Sequence, residues 1–289
     1  MAAAPRVGVF GCCPLQGARL SWQMGNLSPV PPLSTSGGLI LGGVTSDQPA
    51  WRTQADQVGR VCASNLSVLA GVYVHGSAAL GGFTPASDLD MLIVGDGATD
   101  WDRLGSDLLS QAPGFPLELS VVAPGDAAAP APPWPFRLHV ASPDRVVLHR
   151  GDGDPDLAAH YAVTRQSGIA IAGTEPRETI GPVPRNMLLT LLTGELEWGR
   201  THADQRYTVL NACRAEAYAV DRRLVSKIDG AHWWTRHHGP DPVVEEALTA
   251  QTRGTDLGPC TRSAGEFIER VIQTMGVQDQ SARPASSEE

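Results

Sequence analysis

The sequence predicts an α/β (α+β) domain at residues 52–152, followed by an all-α domain at residues 153–276. Two observations predict this order. Between residues 54 and 148, apolar runs with the spacing of strands alternate with segments of helical spacing. From Asp156 onward the spacing is helical, and a chain of 289 residues is long enough for two domains of ordinary size. We therefore expect a cleft between the two domains.

In the first half, apolar spacing predicts helices over residues 54–69 and 100–111. Strands are expected on both sides of a glycine-rich turn within residues 72–94, and again over residues 117–122. Residues 124–135 are rich in Ala and Pro and indicate a loop, whereas residues 136–148 alternate enough for one or two strands.

The second half is predicted to contain helices at residues 156–167, 185–197, 205–223, 243–251 and 264–275, and one more that ends before Gly239. Residues 1–51 carry few charges and many Gly, Pro and Ser residues, so we expect a poorly ordered extension. The polar residues 277–289 predict a disordered tail.

The most informative segment contains Gly76-Ser77, a spacer of ten residues, and Asp88-Leu89-Asp90 at the start of a predicted strand. Because strand side chains alternate, Asp88 and Asp90 project from one face. Two carboxylates that close together repel each other unless a cation lies between them, and Mg²⁺ suits an all-oxygen site that also meets a phosphate. Gly76 allows close backbone approach to a polyphosphate, to which Ser77 can donate. A solvated turn is the alternative interpretation of Asp-x-Asp.

This arrangement resembles the nucleotidyltransferase superfamily, whose fold is an α/β domain with a mixed sheet. The resemblance implies a third carboxylate on a neighbouring strand, which binds metal or accepts the proton of the attacking hydroxyl. Glu118 matches that place in order and spacing. It stands in an apolar run, where a buried, unpaired glutamate is costly. The alternative is a glutamate at a strand edge that faces water.

From residue 52 to residue 276 the chain resembles the aminoglycoside adenylyltransferases of the streptomycin/spectinomycin type, with a helical-bundle second domain. The matching motifs are His75-Gly-Ser-Ala, Gly81-Gly82, Ser87-Asp-Leu-Asp90, Leu117-Glu-Leu, Asp154-Pro-Asp-Leu157, Gly181-Pro-Val-Pro184 and Asp204-Gln-Arg-Tyr207. The resemblance implies transfer of AMP from ATP to a hydroxyl of an aminoglycoside or aminocyclitol antibiotic, with Mg²⁺ held by Asp88 and Asp90. Pyrophosphate would leave.

The chain contains 21 arginines and a single lysine, Lys227. Lysine is a compact point charge that suits phosphate oxygens. The resemblance implies that a lysine of the helical domain reaches the nucleotide phosphates, and Lys227 is at the matching place. Arg214 is a second candidate for the phosphates. Chance survival of the lysine and a surface position for the arginine are the alternatives.

The resemblance also implies that Asp204, Tyr207 and Trp198 face the antibiotic. Asp204 opens a predicted helix, so an N-cap is its alternative role. Trp198 is expected in the preceding loop, a few residues from where streptomycin-accepting members place a tryptophan, and Arg200 stands near their aspartate. These departures favour spectinomycin over streptomycin as the acceptor.

The net charge of −9 disfavours nucleic acid as the main partner and suits a cationic small molecule. No apolar run approaches the ~20 residues of a membrane span. The five cysteines are odd in number and lack metal-binding spacing, so we expect reduced thiols in a cytoplasmic, monomeric protein. Two alternatives stay open: a nucleotidyltransferase that modifies another natural product in biosynthesis or self-protection, and an antitoxin-type regulator that acts on a protein.

Overall fold

A computed structural model describes residues 49–281, except residues 86, 142–144 and 149–152. The strands are β1 (Leu66–Val74), β2 (Leu89–Ala98), β3 (Leu117–Val122), β4 (Leu138–Ala141), β5 (Arg145–Leu148) and β6 (Ile169–Gly173). Within the described ranges they form one six-stranded sheet in the order β5-β4-β3-β2-β1-β6. β2 and β3 are parallel, and the other neighbouring pairs are antiparallel. The sheet is therefore mixed, which confirms the expectation.

Helices cover both faces of the sheet. α1 (Arg52–Asn65) and α3 (Trp101–Gln111) share a buried apolar cluster with one face. α5 (Leu157–Ser167) packs against the other face. Three short helices connect these elements: α2 (Gly76–Ala79), α4 (Pro124–Ala128) and α6 (Pro176–Thr179). The catalytic motif predicted from the sequence thus lies at the ends of strands that are held from both sides.

The second half is built around α8 (Gln205–Asp221), which is buried along almost its whole length. Its neighbours are α7 (Arg185–His202), α9 (Lys227–His238), α10 (Pro242–Arg253) and α11 (Arg262–Ser281). Small residues of α8, among them Ala212 and Ala215, let these helices approach closely. This half is the helical bundle that the sequence predicts. In the described ranges, every helix is too short or too polar to cross a bilayer.

α5 belongs to two apolar cores at once. Leu157 and Tyr161 pack with the sheet, whereas Ala159 and Val163 pack with the helical bundle. Because the two pairs project from different sides of one rigid helix, α5 fixes the bundle relative to the sheet. The packing of α5 therefore helps to define the cleft between the two halves.

Two strands differ from the prediction. The helix predicted over residues 54–69 ends at Asn65, because Leu66 begins β1 and pairs with Ala98 of β2. The segment Ile169–Gly173 lies in the half predicted to be all helical, but it pairs with β1 as the edge strand β6. Short apolar runs do not distinguish strand from helix by spacing alone, and pairing decides between them.

Several ends of helices also differ from the predicted positions. α4 lies inside the predicted loop, where Pro124 occupies a favourable first helical position. α7 runs to His202, so Trp198 lies on a helix and not in a loop. α11 runs to Ser281, past the expected start of the tail, since one glycine costs a helix only about 1 kcal/mol. Most of the predicted N-terminal extension (residues 1–48) and residues 282–289 of the tail lie outside the described residues.

Replacing the buried residue Gln54 should lower the stability of the protein strongly, because its side chain makes several hydrogen bonds. Its amide nitrogen donates to the carbonyls of Ala112 and Phe115 at 3.0 and 2.9 Å, and its oxygen accepts from the Phe115 N–H at 2.8 Å. Gln54→Ala leaves these backbone groups without their partner, so we expect the free energy of unfolding to fall by roughly 2 to 4 kcal/mol.

Chemical denaturation of the purified variant measures this change. Gln57→Ala, three residues along the same helix, is the matched control, since Gln57 only accepts an exposed hydrogen bond from Arg60. It should change stability by less than about 0.5 kcal/mol. Equal stabilities of the two variants would contradict the assignment.

Candidate active site

The glycine-serine turn is shaped around Asp90. Gly76 has φ +57°, and a Cβ atom added there would lie 1.8 Å from Asp90 Oδ2. Glycine is therefore needed both for the backbone conformation and for the close approach. The backbone N–H of Ser77 donates to the Asp90 carboxylate, and the N–H of His75 donates to the Asp90 carbonyl at 2.9 Å.

Three carboxylates meet at the ends of the two parallel strands. Asp88 precedes β2, Asp90 is its second residue, and Glu118 is the second residue of β3. Asp90 and Glu118 are paired in register, so their side chains leave the same face on neighbouring strands. Leu89 points to the opposite face and is fully buried in the core. The structure thus brings together the three carboxylates that the sequence singles out.

Burial and mutual repulsion raise the pKa of each carboxyl. Burial, followed by the charge of Asp88, raises the pKa of Asp90 to about 7. Burial, with the charges of Asp90 and Asp88, raises the pKa of Glu118 well above its ordinary value. Burial raises the pKa of Asp88 as well, and the charge of Lys227 opposes this rise. The group stores unfavourable charge that an added cation would relieve.

Two cations of the helical half face these carboxylates. Lys227 is the first residue of α9 and Arg214 lies in α8. Burial lowers the pKa of Lys227 to about 8 and that of Arg214 to about 10, while Asp90 opposes both shifts. Arg214 Nε donates to the carbonyl of Val225 at 2.8 Å, which holds the guanidinium in place. The predicted partners from the two halves are therefore side by side.

These residues line a cleft between the sheet and the bundle. Of the residues that the sequence predicts, the wall contains Gly76, Ser77, Asp88, Asp90, Arg214 and Lys227. Glu118 is buried beside Asp90 and does not line the cleft, and its Oε1 atom is buried without a hydrogen-bond partner. A buried, unpartnered carboxylate oxygen is costly, which indicates a functional position.

Tyr207 lies behind the cleft wall. Its hydroxyl donates to Glu195 Oε1 at 2.6 Å, and Lys227 Nζ lies 4.9 Å from the centre of its ring. Burial, then Glu195, raises the pKa of Tyr207 well above the ordinary value. Tyr207 therefore connects the cation of the cleft to a carboxylate on α7.

Asp204 has the N-cap role that was the alternative in the sequence analysis, and Trp198 lies on a helix and not in the expected loop. The carboxylate of Asp204 caps α8, accepting the N–H of Arg206 at 2.9 Å, and also accepts those of Leu257 and Gly258 at 2.8 and 2.7 Å. Trp198 stacks on His202 one turn along α7, with ring centres 5.5 Å apart. Neither residue is part of the wall of the cleft.

A second, smaller cavity adjoins the cleft and shares Ala159, Val163 and Arg214 with it. Two acidic residues that the sequence did not single out, Asp156 and Glu195, lie in its wall. The helical spacing of Asp156, Ala159 and Val163 could have indicated one face of α5. Nothing in the sequence places Glu195 opposite that face, since the two lie on different helices.

The cleft also contains two buried histidines that sequence analysis did not assign. His75 and His160 have ring centres 4.9 Å apart. Burial lowers the pKa of His75 to about 3 and that of His160 well below its ordinary value. Both imidazoles are therefore neutral and add no charge to the cleft.

Comparison with known proteins agrees with this geometry. Residues 56–121 match the family "Nucleotidyltransferase domain", and residues 177–275 match "Aminoglycoside adenylyltransferase, C-terminal domain". An aminoglycoside (3'') (9) adenylyltransferase of Klebsiella pneumoniae is 30% identical over 250 residues, which cover 76% of this chain and 92% of the relative. An enzyme of the same description from Escherichia coli is 30% identical over 228 residues, 68% of this chain and 84% of the relative.

The chain belongs to the aminoglycoside adenylyltransferase family. It is therefore a nucleotidyltransferase, as the sequence predicts. The spectinomycin adenyltransferase AAD(9) of Enterococcus faecialis, solved with ATP and spectinomycin, superimposes with a TM-score of 0.59 at 16% identity. The match covers 78% of this chain and 98% of that one, and it confirms the fold: a nucleotidyltransferase sheet followed by a helical region.

Because the pKa of Asp90 is raised, the stability of the nucleotide-free enzyme should depend on pH. Its pKa is about 7 in the folded protein, against an ordinary value of about 3.9 in an unfolded chain. The folded state therefore binds the proton more tightly, and its stability falls as the pH rises from about 4 to about 7. Asp90→Asn removes this loss, so it should be more stable than wild type by roughly 2 to 4 kcal/mol at about pH 8, and not at about pH 4.

Thermal unfolding in the presence of EDTA, followed across this pH range, measures the difference. Glu197→Gln is the control, because Glu197 is exposed on α7 and its replacement should leave the pH dependence unchanged. If Asp90→Asn is no more stable than wild type at the higher pH, the pKa of Asp90 is not raised.

Proposed function

We propose that the enzyme transfers AMP from ATP to a hydroxyl of an aminoglycoside or aminocyclitol antibiotic and releases pyrophosphate. The observation that carries this proposal is the meeting of three crowded carboxylates with two cations at one cleft. In this proposal Lys227 and Arg214 lie at the cleft to bind the polyphosphate, and Glu118 lies beside it to accept a proton. The relatives' own substrates, aminoglycosides by name, support the choice of acceptor.

In the proposed reaction the acceptor oxygen attacks the α-phosphorus of ATP, and a new P–O bond forms. The bond between that phosphorus and the bridging oxygen of the β-phosphate breaks, and pyrophosphate leaves with the electron pair. Ser77 donates to the terminal phosphates, while Lys227 and Arg214 hold phosphate oxygens from the helical side. These contacts fix the phosphorus for in-line attack.

Glu118 receives the hydroxyl proton in this scheme. Its raised pKa makes it a stronger base than an ordinary glutamate once it is ionised. The rise comes from burial and from neighbouring negative charges, so positive charge that enters with the substrates lowers the pKa again. Glu118 would then be ionised in the loaded cleft and ready to accept the proton.

Mg²⁺ fits the pair Asp88 and Asp90. Among the described residues, no group of three His, Cys, Asp or Glu side chains is arranged to hold a metal ion. Mg²⁺ commonly uses one or two protein carboxylates together with water and substrate phosphates, so a pair suffices. When bound there, it would neutralise charge that develops on the phosphate oxygens. The mutual repulsion of the two carboxylates supports this assignment.

Spectinomycin is the favoured acceptor, ahead of streptomycin. Arg200, which stands near the place of an expected aspartate, pairs with Glu269 at 2.6 Å on the outside of the bundle. Arg200 is itself a cation, so it cannot replace the aspartate as a partner for a cationic group of streptomycin. A panel of aminoglycosides and aminocyclitols, incubated with ATP and Mg²⁺ and scored by a mass gain of one AMP, tests the proposal. Modification of none of them would overturn it and favour another natural product.

Glu118→Gln separates the chemical step from binding. It keeps the shape of the side chain but removes the base, so kcat should fall by about 10²- to 10⁴-fold. The Kd of ATP, measured by calorimetry, should change little. If ATP binding is lost while turnover persists, Glu118 is a nucleotide ligand and not the base.

Lys227 gives a prediction for nucleotide affinity. Lys227→Ala removes a charged donor, so the Kd of ATP with Mg²⁺ should rise by about tenfold to a hundredfold. Lys227→Arg should also bind more weakly, because a planar guanidinium is larger than an ammonium group and meets phosphate oxygens with a different geometry. Arg223→Ala, an exposed cation shortly before α9, is the control and should match wild type. Equal affinities for ATP in wild type and the three variants would show that Lys227 does not bind the phosphates.

A further inference from the structure

His75 lies directly beside the carboxylates of the cleft. It follows Val74, the last residue of β1, and its backbone N–H donates to the carbonyl of Asp90 at 2.9 Å. Val74 packs with α1 on one face of the sheet, so alternation along the strand turns the next side chain to the opposite face. Asp90 and Glu118 project from that same face on the neighbouring strands. His75, Asp90 and Glu118 therefore form a row across β1, β2 and β3.

The ring of His75 is held in place by packing against α5. His160 of that helix lies against it, with ring centres 4.9 Å apart and planes tilted by 41°. His75 is 3% exposed and His160 is 7% exposed, and both are part of the wall of the cleft. Because close packing restricts a buried ring, the nitrogens of His75 keep their directions relative to the cleft.

One nitrogen of the His75 ring lacks a partner. Burial lowers the pKa of this imidazole to about 3, and an interaction with the backbone of Met91 opposes the shift. A hydrogen bond that favours the charged form is one in which the ring N–H donates. Nε2 is buried without a hydrogen-bond partner, so we assign the proton to Nδ1 and the lone pair of the neutral ring to Nε2. An unpaired buried acceptor is costly, which indicates that a ligand satisfies it.

The lone pair of Nε2 needs a hydrogen-bond donor. The phosphate oxygens of ATP are acceptors and cannot satisfy it. The ribose is bonded directly to the α-phosphate, which the proposed reaction holds at Asp88 and Asp90. The base is attached beyond the ribose. The ribose hydroxyls are therefore the donors of ATP that lie nearest to this pair of carboxylates.

We propose that Nε2 of His75 accepts a hydrogen bond from a ribose hydroxyl of ATP, so that the enzyme discriminates ribonucleotides from deoxyribonucleotides. His160 positions the ring for this contact. The inference rests on the proposed function, which makes ATP the nucleotide. It adds a selectivity that the charged groups of the cleft do not supply, because the phosphates are the same in ATP and in its deoxy forms.

The test compares the Kd values of ATP, 2′-deoxy-ATP and 3′-deoxy-ATP, measured by calorimetry with Mg²⁺ and without an acceptor. Wild type should bind one of the two deoxynucleotides about fivefold to a hundredfold more weakly than ATP, because the missing hydroxyl leaves Nε2 unpaired. The weaker deoxynucleotide identifies the hydroxyl. His75→Phe keeps a ring against His160 but has no acceptor, so it should bind all three nucleotides with similar Kd values.

A matched pair of amides tests the same contact without an aromatic ring. The amide oxygen of His75→Gln reaches roughly the place of Nε2, so this variant should keep part of the preference for ATP. His75→Asn is one methylene shorter and should lose the preference. A general loss of structure would weaken all three nucleotides in both variants alike.

Two other histidines serve as comparisons. His160→Phe keeps the ring packing and should keep the preference for ATP. His232→Asn changes an exposed residue of α9 and should match wild type for all three nucleotides.

The proposal is overturned if wild type binds the three nucleotides equally, or if His75→Phe and His75→Asn keep the wild-type preference. Loss of the preference in His160→Phe alone would assign the contact to His160 and also overturn it. Failure of the proposed function gives a different result: ATP binds with the ribose preference, but no antibiotic is modified. If wild type binds no ATP, both proposals are overturned.

Discussion

The balance of charge across the cleft is the interaction on which the site depends. Asp90 and Glu118 are paired in the register of β2 and β3, and Asp88 precedes Asp90 by two residues, so the three carboxylates crowd together. Lys227 and Arg214 oppose them from the other half of the chain. Neither set is stable alone in a buried place, since burial disfavours every one of these charges. The two halves therefore stabilise each other's ionised groups, and ligands that bring charge change the protonation of the whole group.

Such a balance requires that the two halves keep a fixed separation, and α5 provides it. Leu157 and Tyr161 are buried with the sheet, while Ala159 and Val163 are buried with the bundle. The same helix lines both the cleft and the second cavity, through Ala159 and Val163. The position of this helix therefore affects the width of the cleft and of the second cavity together. A change in the packing of α5 would alter both spaces.

The sequence predicted those parts of the site that depend on local order. Gly76, Asp88 and Asp90 are close in the chain, and the alternation of one strand brings their groups together. Lys227 could be recognised because it is the only lysine. Trp198 could not be placed, because its environment depends on where α7 ends. Likewise, Glu195 and Asp156 meet only when α7 packs beside α5, and β6 is a strand only because β1 pairs with it. Contacts between distant segments decide these points, and single-sequence patterns do not contain them.

Charge that enters with the substrates has a consequence for the proposed chemistry. Burial is the main reason that the pKa of Glu118 is raised, and the charges of Asp90 and Asp88 raise it further. The charges of Asp156 and Asp154 act in the same direction. Positive charge that enters the cleft offsets part of this negative charge and lowers the pKa of Glu118 again. In the proposed reaction, the binding of cations and the ionisation of the base are then two effects of one electrostatic field.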